Sequence, residues 1–389
     1  MVRQLRQLMS SFFRQAASSL SRETASTKFV REIDGLRFIA IGIVFVQHAQ
    51  QHVSRLFGPS ESWVHHIETW HFGVELFFLI SGFVLGMPFA AAARGDGRAP
   101  SLRQYYWRRV TRIEPPYVVT LIAFYSILTF AEGVPSLAPR LFAGLGYVHG
   151  FFYDEHNPIN PVAWSLEIEV QFYLLAPLLA WILFRGSRLR RRLIFLSLFA
   201  GRYLLGKALP GLGYTVWGQF LFFLCGLLLV DIFADEWGGT LPPADWRWDL
   251  IAIPGWLALP LFWEYPVLPR TGLPIILLIL SYSSLRSAAT RRFLRWTPIV
   301  ITGGMCYTIY LLHWHLLRWI TLVIGDRLIV PASIELSLVT YLAAYLIPVA
   351  LACVAFFLLV EKPCMRRDWP VRLWGYIAGT QRGIAESRQ

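Results

Sequence analysis

Long apolar runs recur along this chain, separated by short polar junctions crowded with arginine. About 20 consecutive apolar residues suffice to carry a helix across a bilayer. The strict alternation of a membrane β-barrel strand is absent, because the runs are solidly apolar. The pattern predicts helices at roughly residues 35–54, 71–93, 115–131, 162–184, 193–206, 214–232, 249–263, 272–285, 298–320 and 335–360. The fifth, seventh and eighth are short, and need a thinned membrane, re-entrant geometry or longer true boundaries. The expected fold class is therefore all-α, a polytopic transmembrane bundle of about ten spans. No period of 20–50 residues and no matched pair of broken helices is visible, which weighs against a transporter built from repeats.

Charge sets the expected orientation. Counted by junction, 29 Lys and Arg fall on one side of the predicted spans and six on the other, with Arg318 near the outer end of the ninth. The positive-inside rule then predicts an N-in, C-in arrangement. The acidic 233–248 junction is the weak point, and leaves eight or eleven spans as alternatives. The net charge of +12 alone would suit nucleic acid. Its confinement to junctions on one face argues instead for the lipid bilayer as the partner. Composition agrees: 56% of residues are hydrophobic, 15% are charged and the mean hydropathy is +0.49. The expected parts are a cytoplasmic N-terminal segment (1–32), a transmembrane domain (33–361) and a cytoplasmic tail (362–389). The first apolar run is too short and interrupted for a signal peptide, and a weak amphipathic pattern there suits an interfacial helix. The four cysteines form no CxxC, so neither a disulfide framework nor a zinc site is indicated.

Against this apolar background the ionisable residues stand out, since buried charges in membrane helices are costly and usually functional. In DGLRFIAIGIVFVQH (34–48), Arg37 and His48 are eleven residues apart. That step closes to within about 20° of three full turns, so both lie on one helix face, about 16 Å apart along the axis. Alternatively, Arg37 is a positive-inside flank and His48 a polar contact between helices. Glu75 lies about 6 Å below the outer end of the second span. Ser81, Gly82 and Gly86 in the same span suit close helix approach. In YYWRRVTRIEPPYVV (105–119), Arg108, Arg109 and Arg112 gather before Pro115 and Pro116, read here as the start of a span. Guanidinium forks suit phosphate oxygens, although inner junctions are arginine-rich anyway. In PVAWSLEIEVQFYLLAP (161–177), Glu167 and Glu169 enter from outside, Glu169 about 10 Å deep and level with His48. Carboxylates and an imidazole at one depth suit a general base oriented by a carboxylate, and equally a proton relay. In GGMCYTIYLLHWHLLRW (303–319), His313 and His315 face different ways, so at most one joins the cluster and no metal is expected.

At these residues the chain resembles the acyltransferase-3 family of bacterial integral membrane acyltransferases. Five pieces match in order: DGLRFIAIGIVFVQH, GVELFFLISGF, WRRVTRIEPPY, WSLEIEVQFYLLAP, and GGMCYTIYLLH followed by VEKP at 360–363. The resemblance implies an inner-membrane O-acyltransferase. It would move an acyl group, usually acetyl, from cytoplasmic acyl-CoA to a hydroxyl of an envelope glycan, glycolipid or other extracytoplasmic acceptor. It places the family's essential residues on Arg37 and His48, its acyl-CoA arginines on Arg109 and Arg112 with Arg108 beside them, and its acidic positions on Glu75 and Glu169. Its late histidine falls on His313, with Tyr310 a further candidate. The chain departs from the family at Val170, where a second glutamate is common, and in its additional Glu167. The short stretch after the tenth span implies a member without a C-terminal hydrolase-like domain.

The expected mechanism has His48 as general base on the acceptor hydroxyl, and Glu169 or Glu75 orienting or balancing its imidazole. Arg37 would neutralise charge on CoA or on the thioester oxyanion. The principal rival is a proton-coupled transporter or flippase of an envelope precursor. A third reading is a scaffold subunit of a polysaccharide assembly complex.

Overall fold

A computed structural model describes residues 20, 30–57, 63–98, 100–153, 155–208, 215–262, 272–330, 333–366 and 368–372. The expected interfacial N-terminal helix and most of the expected tail lie outside the described residues. Among the described residues the chain is helical and has no strand. Its helices are α1 (Arg31–Phe57), α2 (Phe72–Ala93), α3 (Leu102–Ser126, extended by a π turn over Ile127–Ala131), α4 (Ala138–Leu145) and α5 (His149–Phe152). They continue with α6 (Trp164–Leu183), α7 (Arg188–Ala208), α8 (Val216–Asp235), α9 (Asp249–Phe262) and α10 (Leu273–Arg286). Then come α11 (Ala289–Leu294), α12 (Thr297–Gly304), α13 (Cys306–Leu328) and α14 (Ile334–Phe356), the last extended by a π turn over Phe357–Glu361 and a short helix over Lys362–Cys364. Five helical stretches are long and apolar enough to cross a membrane: His66–Ala93, Leu102–Ala131, Pro161–Leu183, Val216–Asp235 and Ile334–Cys364. Apolar side chains such as Leu174, Leu178 and Trp181 on α6, and Leu346, Ile347 and Leu351 on α14, face outward, as a lipid phase allows.

Two predicted segments differ from what is observed. The third helix does not begin at Pro115 and Pro116 but at Leu102, capped by the Ser101 hydroxyl, so the arginines lie on its first turns. Pro115 cannot donate to the Thr111 carbonyl one turn earlier. The Trp369 indole supplies that bond at 2.8 Å, and the helix runs through. The ninth segment is not continuous but breaks at Met305 between α12 and α13.

The stretch around which the chain is organised is α1. Its first half gives Ile33, Leu36 and Ala40 to a core shared with α2, α6, α8 and α10. Its second half gives Ala49 and Val53 to a core shared with α3, α13 and α14. Arg37 thus belongs to one core and His48 to the other. In the first core α2 and α8 cross at Gly82 and Gly226, where a Cβ added at Gly226 would lie 2.0 Å from the Leu79 carbonyl oxygen. Only glycine permits so close a crossing. Gly226→Leu is expected to destabilise the fold by on the order of 3 kcal/mol, read as a lower unfolding temperature in detergent. An unchanged melt would show that the crossing is loose.

Ion pairs close both ends of the bundle. At one end the buried Asp231 carboxylate of α8 receives Arg94 at 2.7 Å, Arg191 at 3.0 Å and Arg192 at 2.7 Å, the pairing a buried charge requires. At the other, Arg318 of α13 grips Glu132, just past the π turn of α3, through bonds of 2.8 and 2.6 Å. That fork holds the Glu132 carboxyl down to about 2.

Candidate active site

His48 sits in the second half of α1, half-buried, facing α13. Its Nδ1 lies 2.7 Å from Nε2 of His313, and the two rings lie nearly parallel, 4.9 Å apart at 15°. The far nitrogen of His313, Nδ1, is 2.9 Å from the carbonyl oxygens of both Ile309 and Tyr310. Carbonyls only accept, so Nδ1 of His313 carries that ring's proton. A neutral imidazole has one N–H and one lone pair. Nε2 of His313 must therefore accept, and Nδ1 of His48 must donate to it. By elimination Nε2 of His48 is left as a bare lone pair. Trp314 meets the His48 ring edge-on at 4.9 Å, and also lies 5.2 Å from His52 and 5.7 Å from the Arg55 guanidinium. Positions 48, 52 and 55 share one face of α1, and that face rests on the indole.

The partner of His48 is thus a second imidazole, where a carboxylate was expected. Glu169, on α6, accepts instead from the Ser81 hydroxyl of α2 at 2.5 Å. It also interacts with the Tyr173 hydroxyl one turn along its own helix, and more distantly with Arg37. Arg37 bonds Asp34, one turn earlier on α1, at 2.5 Å. Asp34 is 1% exposed, so this pair is a buried one. Arg109 donates to the Tyr105 carbonyl at 2.8 Å and lies 3.8 Å over the Tyr105 ring. Tyr105, Tyr173, Arg112 and Arg108 all interact electrostatically with it. The Arg109 guanidinium and the Tyr105 ring thus lie within electrostatic reach of Tyr173, whose hydroxyl bonds Glu169. Arg112 is half-buried, while Arg108 is exposed.

Tyr310 joins the two groups. Its hydroxyl donates to the Val162 carbonyl at 2.6 Å and receives Ser165 at 3.2 Å, both at the mouth of α6. Its carbonyl is one of the two that fix His313. Glu75 is half-buried in the first turn of α2. Glu167 accepts the Gly150 N–H at 3.0 Å and so pins α5 to α6, away from His48. In the connection around it, burial pushes the His149 and His156 imidazoles down. His315 turns away from His313, bonding the Ile159 carbonyl at 2.7 Å and packing on Phe124. Among the described residues no cluster of His, Cys, Asp and Glu could hold a metal ion.

Three contributors escaped the sequence reading. Ser81 was read as a packing residue, yet it is the hydroxyl donor to Glu169. Tyr173 lies four residues after Glu169, and that i,i+4 spacing was a usable signal. Trp314 carries no signal beyond its place between two histidines.

A family model described as an acyltransferase domain matches residues 30–358. The peptidoglycan O-acetyltransferase OatA of Listeria monocytogenes is 28% identical over 212 residues, 51% of this chain and 30% of that protein. The O-acetyltransferase OatA of Staphylococcus aureus is 26% identical over 330 residues, 76% of this chain and 52% of that protein. The chain thus spans about half, or less, of the length of these relatives. An uncharacterized protein of Haemophilus influenzae is 30% identical over 138 residues, 32% of this chain and 55% of that one. No solved structure matches.

Proposed function

The chain belongs to the acyltransferase-3 family, and on that premise we propose that it is a bacterial inner-membrane O-acetyltransferase with His48 as its general base. The observation that carries this reading is the chain of contacts from His48 through His313 to two backbone carbonyls, from which a free lone pair on Nε2 of His48 follows. The acceptor hydroxyl gives its proton to Nε2 as its oxygen attacks the thioester carbonyl carbon. The C–S bond then breaks, and the imidazolium returns the proton to the departing thiolate. Arg37, about 16 Å from His48 along α1, opposes negative charge on the CoA moiety nearer the start of that helix. Asp34 pairs with that arginine, and Glu169, held by Ser81 and Tyr173, lies within its electrostatic reach. The relatives' names support an acetyl group as cargo, and that of the Listeria protein supports a glycan hydroxyl as acceptor.

The donor is acyl-CoA, taken from the cytoplasmic side, where the 29-to-6 charge split puts both termini in a ten-span arrangement. Arg109 and Arg112, three residues apart on the first turns of α3, grip its phosphates. Arg109→Ala with Arg112→Ala is expected to weaken CoA binding about 10–100-fold, measured by calorimetric titration in detergent. Equal affinities would return both arginines to an ordinary inner junction.

The transporter reading needs an imidazole chain that passes protons on. Here the chain stops, because the outer nitrogen of His313 ends on two backbone carbonyls that take no proton. The deciding experiment is thioester turnover by the purified protein. Release of free CoA thiol that depends on an added glycan supports the enzyme, whereas proton-coupled uptake into vesicles without turnover supports the transporter.

A further inference from the structure

Where α1 begins, α11 and the turn into α12 leave an open cleft of about 790 Å³ lined by Arg31, Pro242, Arg291, Arg292, Arg295 and Trp296 among others. That size falls within the roughly 300–1,000 Å³ typical of small-ligand sites. Four of its lining residues are arginines and none is a carboxylate. The carboxylate paired with them among the described residues is Glu32, 2.9 Å from Arg291 and 3.7 Å from Arg295. Glu32 is 4% exposed, so it anchors the cleft from behind without filling it. Arg291 is also fixed by its bond to the Pro242 carbonyl at 2.8 Å. The wall is thereby preorganised, with Arg31, Arg292 and Arg295 left at the surface. Trp296 lies alongside with 61% of its surface exposed.

We propose that this cleft binds a ligand carrying two or more phosphate groups. Arginine forks match phosphate oxygens in pairs and hold them by charge-assisted bonds. A wall with two guanidinium groups tied to Glu32 and two more, those of Arg31 and Arg292, exposed beside them suits several phosphates better than one. Two sources offer this chemistry at that end of the bundle: the phosphates of a soluble nucleotide, whose flat base the Trp296 indole would stack, and the headgroups of anionic lipids. The cleft is separate from Arg109 and Arg112, and the inference stands whether or not the chain transfers acyl groups.

The test compares the full-length protein with an Arg31→Gln, Arg292→Gln double variant. Both side chains are exposed, so folding should be unaffected, which size-exclusion and thermal melting check. An Arg31→Lys, Arg292→Lys variant retains the charge without the fork. Two probes are used: adenosine 3′,5′-bisphosphate in calorimetric titration, and lipid nanodiscs of phosphatidylglycerol against phosphatidylcholine in thermal melting. Saturable nucleotide binding that weakens about 10-fold or more in the Gln variant, partly restored by Lys, supports the proposal with a nucleotide source. A melting gain in phosphatidylglycerol that the Gln variant loses, without nucleotide binding, supports it with a lipid source. Indistinguishable behaviour of wild type and Gln variant with both probes overturns it. His48→Ala should leave either response unchanged, so a failure here is separable from a failure of the acyl-transfer reading.

Discussion

Replacing His48 by alanine is expected to reduce acyl transfer by about 10²–10⁴-fold, the usual contribution of a positioned general base. The expectation rests on one nitrogen. Among the described residues His48 forms a single side-chain hydrogen bond, through Nδ1 to His313, so the opposite nitrogen is the one available for chemistry. The substitution leaves the lone pair of His313 facing a small void, which costs about 1–3 kcal/mol of stability. The melting temperature must therefore be read beside the rate. Turnover of [¹⁴C]acetyl-CoA by a variant shown to be folded is the measurement, and near-normal turnover would remove His48 from the base position.

The second large effect belongs to a residue that touches no substrate in this mechanism. Removing His313 leaves Nδ1 of His48 without its acceptor, and the His48 proton is then free to move to Nε2. An imidazole with its proton on Nε2 cannot accept from the acceptor hydroxyl there. Loss of the group that fixes a base's tautomer costs up to about 10⁴-fold in the best-studied triad, and His313→Ala is expected to lose about 10²-fold or more in kcat. The KM for the acceptor should change little, because His313 orients rather than binds. His313→Gln should recover part of the rate, since its carbonyl oxygen can accept from Nδ1 of His48. A merely structural role would give neither that rescue nor a displaced pH–rate profile. A folded His313→Ala variant with unchanged kcat and profile would refute the tautomer argument.

The helical architecture was legible because apolar length is a direct physical requirement of a span, and the second, third, fourth, sixth and tenth predicted segments fall on the five helical stretches long and apolar enough to cross. The start of α3 was not, because a Pro-Pro pair reads as a beginning wherever the missing backbone donor has no substitute. The substitute here is Trp369, 258 residues further along the chain, and no local pattern reveals it. The break at Met305 was hidden in an apolar run whose Gly303 packs against the Asp34 carbonyl of α1. At the site, residue types were more legible than partnerships. Arg37, His48, Glu169 and His313 stood out as ionisable groups in apolar helices. Charge complementarity then favoured pairing the imidazole with a carboxylate. Which groups meet depends on how α6 and α13 are rotated against α1 and α2, and that is a tertiary fact. It brings Glu169 to Ser81, and His48 to His313.

The central proposal, transfer across the membrane from a donor inside to an acceptor outside with His48 as base, can be tested in one preparation. The protein is reconstituted in sealed proteoliposomes, oriented with its termini inside, with [¹⁴C]acetyl-CoA in the lumen and a soluble peptidoglycan fragment outside. The expected result is ester-linked label on the external glycan, released by mild base and absent with His48→Ala. Label on the glycan at equal rates for wild type and a folded His48→Ala variant, or labelled acetyl-CoA exported intact, would contradict it.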